Sequence, residues 1–183
     1  MTDPTLHVLA VSGSLRRDSY NTALLRAAAD IAPESMKIDI YSIGDLPLFD
    51  ADLEADGEPA PVTRFRTALA EADALLLATP EYNWSTSAAL KNAIDWASRG
   101  NSESPLNFKP TAILGAGGRF GTLRAQLHLR EILGHNQVRL VGSPQVQVSM
   151  ASDKFDSNGR LVHEHTIDQL SRILAALEGL AHS

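Results

Sequence analysis

Two segments of the chain carry residue types dense enough in donors and rings to do chemistry. The first is Ser12-Gly13-Ser14-Leu15-Arg16-Arg17-Asp18-Ser19-Tyr20-Asn21-Thr22, a small-residue loop that runs into a helical pattern. Such a loop presents free backbone N–H groups and the positive end of a helix dipole. The hydroxyls of Ser14, Ser19 and Thr22, the Asn21 amide and the Arg16 guanidinium could complete a cage for a phosphate. The same residues also suit a plain capped turn, because Ser, Thr and Asn are the commonest helix N-caps. No Gly-Lys-Ser/Thr follows, so it is not a P-loop, and a lone Gly13 makes no dinucleotide fingerprint.

The second segment is Thr79-Pro80-Glu81-Tyr82-Asn83-Trp84-Ser85. Aromatic rings beside polar groups on a loop suit a planar ligand with a polar edge. Trp96 falls within a helical pattern that spaces Leu90, Ala93, Ile94 and Ala97 on one face, and reads as a packing residue rather than a ligand contact. A third, glycine-rich segment, Gly115-Ala116-Gly117-Gly118-Arg119-Phe120-Gly121, follows the fourth strand pattern. A nucleotide fingerprint belongs after the first strand, so this is not one. Arg119 is a candidate to attract an anionic acceptor or a nucleotide phosphate. Of the six histidines, His128 and His135 are seven apart and share a helical face, and His163 and His165 precede the last helix. Neither pair has an obvious carboxylate partner, and no metal site is expected.

These segments sit at the ends of apolar runs. Leu6–Val11, Ala74–Thr79 and Pro110–Leu114 read as buried strands, and Met36, Ile38 and Ile40 alternate as a strand near an edge. Val138–Val141 and Val146–Val148 compete for a fifth strand, read as one strand broken around Gly142-Ser143-Pro144. Helical spacing covers Thr22–Ile31, Val62–Ala72, Thr86–Ser98, Thr122–Leu133 and about Leu161–Leu180. Ser42–Pro61 is polar and reads as a long loop, with Leu46, Pro47, Leu48 and Phe49 expected on its surface. The alternation predicts an α/β fold: a five-stranded parallel sheet covered on both faces, in one domain over residues 1–183. Ligands of such sheets bind beyond the carboxyl ends of the strands, where the three loops stand.

Composition narrows the chemistry. The chain has 183 residues, 44% hydrophobic, and a formal net charge of −6, against a broad nucleic-acid surface. It has no cysteine, which excludes disulfides, thiolate metal centres and a cysteine nucleophile. Redox chemistry would then need a bound organic cofactor or a metal held without thiolates. With no leader-like N-terminus and no run of about 18 apolar residues, a cytoplasmic protein without membrane attachment is expected.

Gly13-Ser14-Leu15-Arg16 with Ser19, Asn21 and Thr22, then Pro80-Glu81-Tyr82-Asn83 and Leu90-Lys91-Asn92-Ala93-Ile94-Asp95-Trp96, resembles the NADPH-dependent FMN reductase family. That family includes bacterial chromate and quinone reductases and azoreductases. Gly121-Thr122 with Arg124-Ala125-Gln126 is similar as well. The resemblance implies a flavodoxin-like three-layer fold with strand order 2-1-3-4-5, FMN as cofactor and NADPH or NADH as electron donor. It implies that Ser14, Arg16, Ser19, Asn21 and Thr22 hold the FMN phosphate. Pro80, Glu81, Tyr82, Asn83 and Trp84 would border the isoalloxazine ring. The family's third loop usually carries Ser-Pro or Thr-Pro before its glycines; here the loop is a residue shorter, and backbone donors of Gly117 and Gly118 would replace that hydroxyl. The implied reaction passes hydride from NAD(P)H through FMN to a quinone, azo compound, chromate or free flavin, by a ping-pong scheme, in a homodimer or homotetramer with small-molecule substrates only. The alternative is a flavodoxin-type electron carrier that docks with protein partners and catalyses nothing. A signalling receiver domain is set aside, since Thr79-Pro80 stands where its phosphorylated Asp would be.

Overall fold

The computed structural model describes residues 5–100 and 103–183. In chain order the elements are β1 (Leu6–Ser12), α1 (Tyr20–Asp30), β2 (Met36–Tyr41), α2 (Ala51–Ala55), α3 (Ala60–Glu71), β3 (Ala74–Ala78) and α4 (Ala88–Ala97). There follow β4 (Pro110–Ala116), α5 (Leu123–His135), β5 (Arg139–Leu140), β6 (Val146–Val148) and α6 (Glu164–Ala181). Every strand pairing is parallel, in the order β2-β1-β3-β4-β5.

The strands alternate their side chains between two cores, as a period of two requires. Val8, Ala10 and Leu76 point to the face covered by α1 and α6, against Leu24, Leu25, Ile173 and Leu174. Leu9, Val11, Leu75 and Leu77 point to the other, against Phe65 and Leu69 of α3, Leu90 and Ile94 of α4, and Leu129 and Leu133 of α5. Both faces are buried, so the central strands are apolar throughout and no solvent-facing alternation is visible in them.

The fifth lane of the sheet is a strand in two pieces. Arg139 and Leu140 pair with Pro110 and Thr111, whereas Val146, Gln147 and Val148 pair with Leu114, Gly115 and Ala116. Where the lane breaks, the Arg130 guanidinium of α5 donates to the Val141 carbonyl at 3.0 Å and satisfies it.

The segment 42–61 is not one long loop. Asp50 accepts a hydrogen bond from the Asp52 N–H at 2.9 Å and starts α2, and Pro61 occupies the first turn of α3. Nor is its apolar stretch a surface patch. Phe49 meets Trp96 edge to face at 4.9 Å, and the Pro47 carbonyl accepts from Trp96 Nε1 and Asn92 Nδ2, both at 2.8 Å. Leu46 packs on the core, and only Leu48 is exposed. Trp96 itself is fully buried. At the other end of the chain, a bridge between Phe155 and Leu161 closes a hairpin, so α6 begins at Glu164 rather than Leu161.

Candidate active site

Loops following β1, β3 and β4 converge at the carboxyl edge of the sheet. The Gly13 N–H donates to the Ala78 carbonyl and its own carbonyl accepts from the Ser87 hydroxyl at 2.6 Å. A Cβ at position 13 would lie 2.8 Å from Ser87 Oγ and 3.0 Å from Leu90 Cβ, so the close approach of the first two loops requires glycine here. Ser19 caps α1, accepting from the Thr22 N–H at 3.3 Å, and the Thr22 hydroxyl donates to Ser12 Oγ at 3.0 Å. The backbone N–H groups of Leu15, Arg16 and Arg17 donate to no acceptor among the described residues. They lie in the loop ahead of the 11-residue α1, which begins at Tyr20 behind the Ser19 cap.

Asn21 has another task. Its Nδ2 donates to the Ala116 carbonyl at 3.0 Å and its Oδ1 accepts from the Ala116 N–H at 2.9 Å, in a buried position. It ties the first loop to the end of β4 and leaves the anion to its neighbours. Nor do the remaining polar residues form one cage. Ser14 and Thr22 line a cavity of about 420 Å³ that opens toward Ile40–Gly44, while Arg16 and Ser19 line another of about 380 Å³ on the opposite flank. Arg16 Nε donates to the Asp18 carbonyl at 3.0 Å, with its guanidinium over the Tyr20 ring.

The second loop is a tight hairpin. Tyr82 and Ser85 exchange two backbone bonds of 3.0 Å, and Asn83 and Trp84 between them have φ of +48° and +65°. Two central residues with positive φ define a type I′ turn, costly for a residue as bulky as Trp. The turn is held from outside. Arg124 stacks its guanidinium 3.8 Å from the Trp84 ring centre and 4.6 Å from that of Phe120. Glu81 accepts from the backbone N–H groups of Arg124 at 2.9 Å and Ala125 at 3.2 Å, and from Arg124 Nη1 at 3.4 Å. A carboxylate thus caps α5, whose own N-cap, Thr122, makes no side-chain cap bond. Ser85 Oγ lies 3.0 Å from His128 Nδ1, a second tie to the same helix. Tyr82, Trp84 and Phe120 leave much of their rings open to solvent.

In the third loop Gly115 belongs to β4, opposite Gln147, and the loop proper begins after Ala116. A Cβ on Gly115 would fall 2.0 Å from Thr122 Oγ1 and 2.6 Å from the Thr79 carbonyl. The Gly117 N–H is taken by the Val148 carbonyl at 3.0 Å, which leaves the Gly118 N–H as the donor able to face a ligand. Pro80 is buried at the base of the site.

Sequence reading assigned Glu81 to the flavin edge and missed that it is the cap of α5, 43 residues away. The roles of Arg124 and Phe120 were missed with it, for no local pattern couples them to Trp84. Burial raises Tyr41, which lines the cavity beside Ser14 and Thr22; farther off, burial lowers Lys109 just before β4, and hydrogen bonds from Lys37 and His7 lower Asp39 on β2. Among the described residues no three His, Asp or Glu side chains are grouped to hold a metal, and no helix is long and apolar enough to cross a membrane.

A doubly covered parallel sheet with this strand order, and a phosphate-type loop after its first strand, defines a flavodoxin-like α/β protein. The family model of NADPH-dependent FMN reductases matches residues 6–153, and the chain belongs to that family. It is 48% identical over 174 residues to an NAD(P)H-dependent FMN reductase of Pseudomonas aeruginosa, covering 94% of each chain. It is 44% identical over 184 residues to an NADPH:quinone oxidoreductase of Arabidopsis thaliana, covering 96% of this chain and 91% of the other. Among solved structures, the flavoenzyme NAD(P)H:(acceptor) oxidoreductase of Paracoccus denitrificans superimposes with a TM-score of 0.88 at 31% identity, over 97% of both chains. The chain is an oxidoreductase of this family, with FMN as its flavin and NAD(P)H as its reductant.

Proposed function

We propose that this protein reduces small planar acceptors, quinones first among them, with the FMN phosphate in the loop after β1 and the ring between the loops after β3 and β4. The observation that carries the reading is the first loop: free amides of Leu15, Arg16 and Arg17 in the turn that leads into α1, with the Ser14 and Thr22 hydroxyls beside them. That donor set fits a phosphomonoester dianion. Bound FMN supplies the redox chemistry, accepting hydride from the nicotinamide and passing electrons on.

The chain's own residues position and select. Asn21 and Gly13 hold the first loop against β4 and α4, Ser14 and Thr22 offer hydroxyls, and Arg16 and Ser19 complete the loop from its outer side. Glu81 and Arg124 fix the Asn83–Trp84 turn, so that Tyr82, Trp84 and Phe120 border an open, aromatic-rimmed face. The Gly118 N–H addresses the polar edge of the ring. One open face serves donor and acceptor in turn, which makes the kinetics ping-pong; chromate and azo compounds would enter the same face. The rim's exposed aromatic surface supports a homodimer or homotetramer that covers part of it. A cytoplasmic location accords with the absence of cysteine.

Titration of FMN and riboflavin into apoprotein tests the assignment. FMN should bind far more tightly, and Ser14→Ala should weaken FMN by about 10- to 150-fold, the scale of a lost hydrogen bond to a charged group, while riboflavin is unaffected. Equal binding of the two flavins would reduce the first loop to a capped turn. Initial rates of NAD(P)H oxidation with benzoquinone should give parallel reciprocal lines; negligible turnover would mark an electron carrier instead.

A further inference from the structure

We infer that the cavity on the outer flank of the first loop is a subsite for the 2′-phosphate of NADPH, an inference that rests on the flavin reading above. Seven of the sixteen Lys and Arg side chains of this net-acidic chain stand within 4.0 Å of a carboxylate: Lys37, Arg64, Arg66, Lys91, Arg99, Arg124 and Arg172. Among the described residues Arg17 and Arg26 have no such partner, and both face this one cavity of about 380 Å³, with Arg16 beside them. The two acids at its rim, Asp18 and Asp156, leave positive charge in excess. Asp156 is moreover turned into its own hairpin, where Oδ1 accepts from the N–H groups of Asn158 at 2.9 Å and Arg160 at 2.8 Å.

The walls are built. Tyr20 of α1 and Phe155 of the hairpin have ring centres 5.2 Å apart and clamp the hairpin against the helix. Past Arg26 the space continues into a second cavity of about 640 Å³, walled by Ala27, Ile31, Leu161 and Ile167. Arg26, Ala23, Asn158 and Gly159 border both. A basic chamber followed by one with an aliphatic wall, edged by Asp30 and Arg160, matches an adenosine carrying a monoester: the dianion between arginine forks, the purine on the aliphatic wall. The 2′-phosphate is the one group by which NADPH differs from NADH, and arginine is its usual reader. A dinucleotide whose nicotinamide lies over the ring site would rest its far end here, along the loop that takes the FMN phosphate.

The test is calorimetric binding of 2′,5′-ADP, 5′-AMP and inorganic phosphate to the FMN-loaded protein and to apoprotein, with Arg17→Ala, Arg26→Ala, the double variant and Arg119→Ala. We expect 2′,5′-ADP to bind at least about tenfold more tightly than 5′-AMP or phosphate, and the double variant to abolish that margin. KM for NADPH should rise about tenfold in the double variant, and in Arg26→Ala, outside the phosphate loop, it should rise while KM for NADH and flavin content stay unchanged. The inference is overturned if 2′,5′-ADP has no advantage over 5′-AMP, if phosphate alone binds as well, or if Arg119→Ala rather than the double variant removes the margin. Flavin content separates the two failures. Normal FMN binding without 2′,5′-ADP discrimination sinks only the subsite, whereas loss of FMN binding sinks the flavin reading even where 2′,5′-ADP still binds.

Discussion

The loop after β1 and the pair of loops after β3 and β4 solve the same problem by different means. In the first, the side-chain bonds are mostly local: Ser12 with Ser14, Ser19 with Thr22, Thr22 with Ser12, Arg16 with Asp18. Two long side-chain ties, Asn21 to Ala116 and the Ser87 hydroxyl to the Gly13 carbonyl, anchor it. The other two loops close one tight backbone hairpin, between Tyr82 and Ser85, and their side chains reach mainly outward. They are rigid because they hold each other, through Glu81 on the α5 amides, Arg124 on Trp84, and Ser85 on His128, all about 40 residues apart in sequence. A site of the first kind is preorganised by its own segment. One of the second kind exists only after the sheet has brought β3 and β4 together.

That contrast is sharpest at two glycines. Gly115→Ala drives a Cβ into Thr122 Oγ1 and the Thr79 carbonyl, where backbone on one side and the start of the third loop on the other cannot both yield. It should cost about 3 kcal/mol, at the upper end of overpacking penalties. Gly13→Ala meets mainly the Ser87 hydroxyl and should cost less. Urea midpoints of the two variants measure the difference; equal values would remove the claim that the third loop is the more tightly constrained.

The ties come next. Asn21→Ala leaves the buried N–H and C=O of Ala116 without partners and should destabilise by about 2–3 kcal/mol, the cost of unsatisfied buried groups. Glu81→Gln keeps an acceptor but removes the charge from the α5 cap, so about 1 kcal/mol is expected. Its signature should be local: Trp84 fluorescence shifts because its turn loosens, while buried Trp96 is silent. A Glu81 variant that left the Trp84 emission unchanged would show that the second loop does not depend on the third.

The smallest effect serves as a baseline away from both regions. Hydrogen bonds from Lys37 and His7 hold the Asp39 carboxyl below its ordinary value of 3.8. A depressed acid contributes stability above its unfolded value and loses it as pH falls through the lower folded one. Asp39→Asn should therefore flatten the acid limb of the stability profile below pH 4, by less than about 1 kcal/mol for so exposed a pair, and leave flavin binding untouched.

Much of the fold was legible. Apolar runs and helical spacing put every long element in place, including the break in the fifth strand, because periods of two and 3.6 are written locally. Where the reading erred, as in the segment 42–61, average polarity hid a single capping residue, Asp50, and hid the docking of Phe49 and Pro47 on a tryptophan 47 and 49 residues on. The site was legible as a set of loops, since small residues, hydroxyls and strand ends are local signals too.

What the sequence by itself determined is therefore the order of strands and helices, the faces they bury, and the three segments that meet at the sheet's carboxyl edge. Tertiary structure alone decided which polar groups in those segments stay free. Asn21 and Glu81 look as available in sequence as Ser14 or Arg17, yet Ala116 takes the first and the N-terminus of α5 takes the second. The same holds for Arg17 and Arg26, whose charges stand out only because folding gathers them on one cavity without a carboxylate partner for either. Periodicity is a property of neighbours along the chain; the partner of a buried amide or an arginine lies 40 to 95 residues away, and only the closed sheet chooses it.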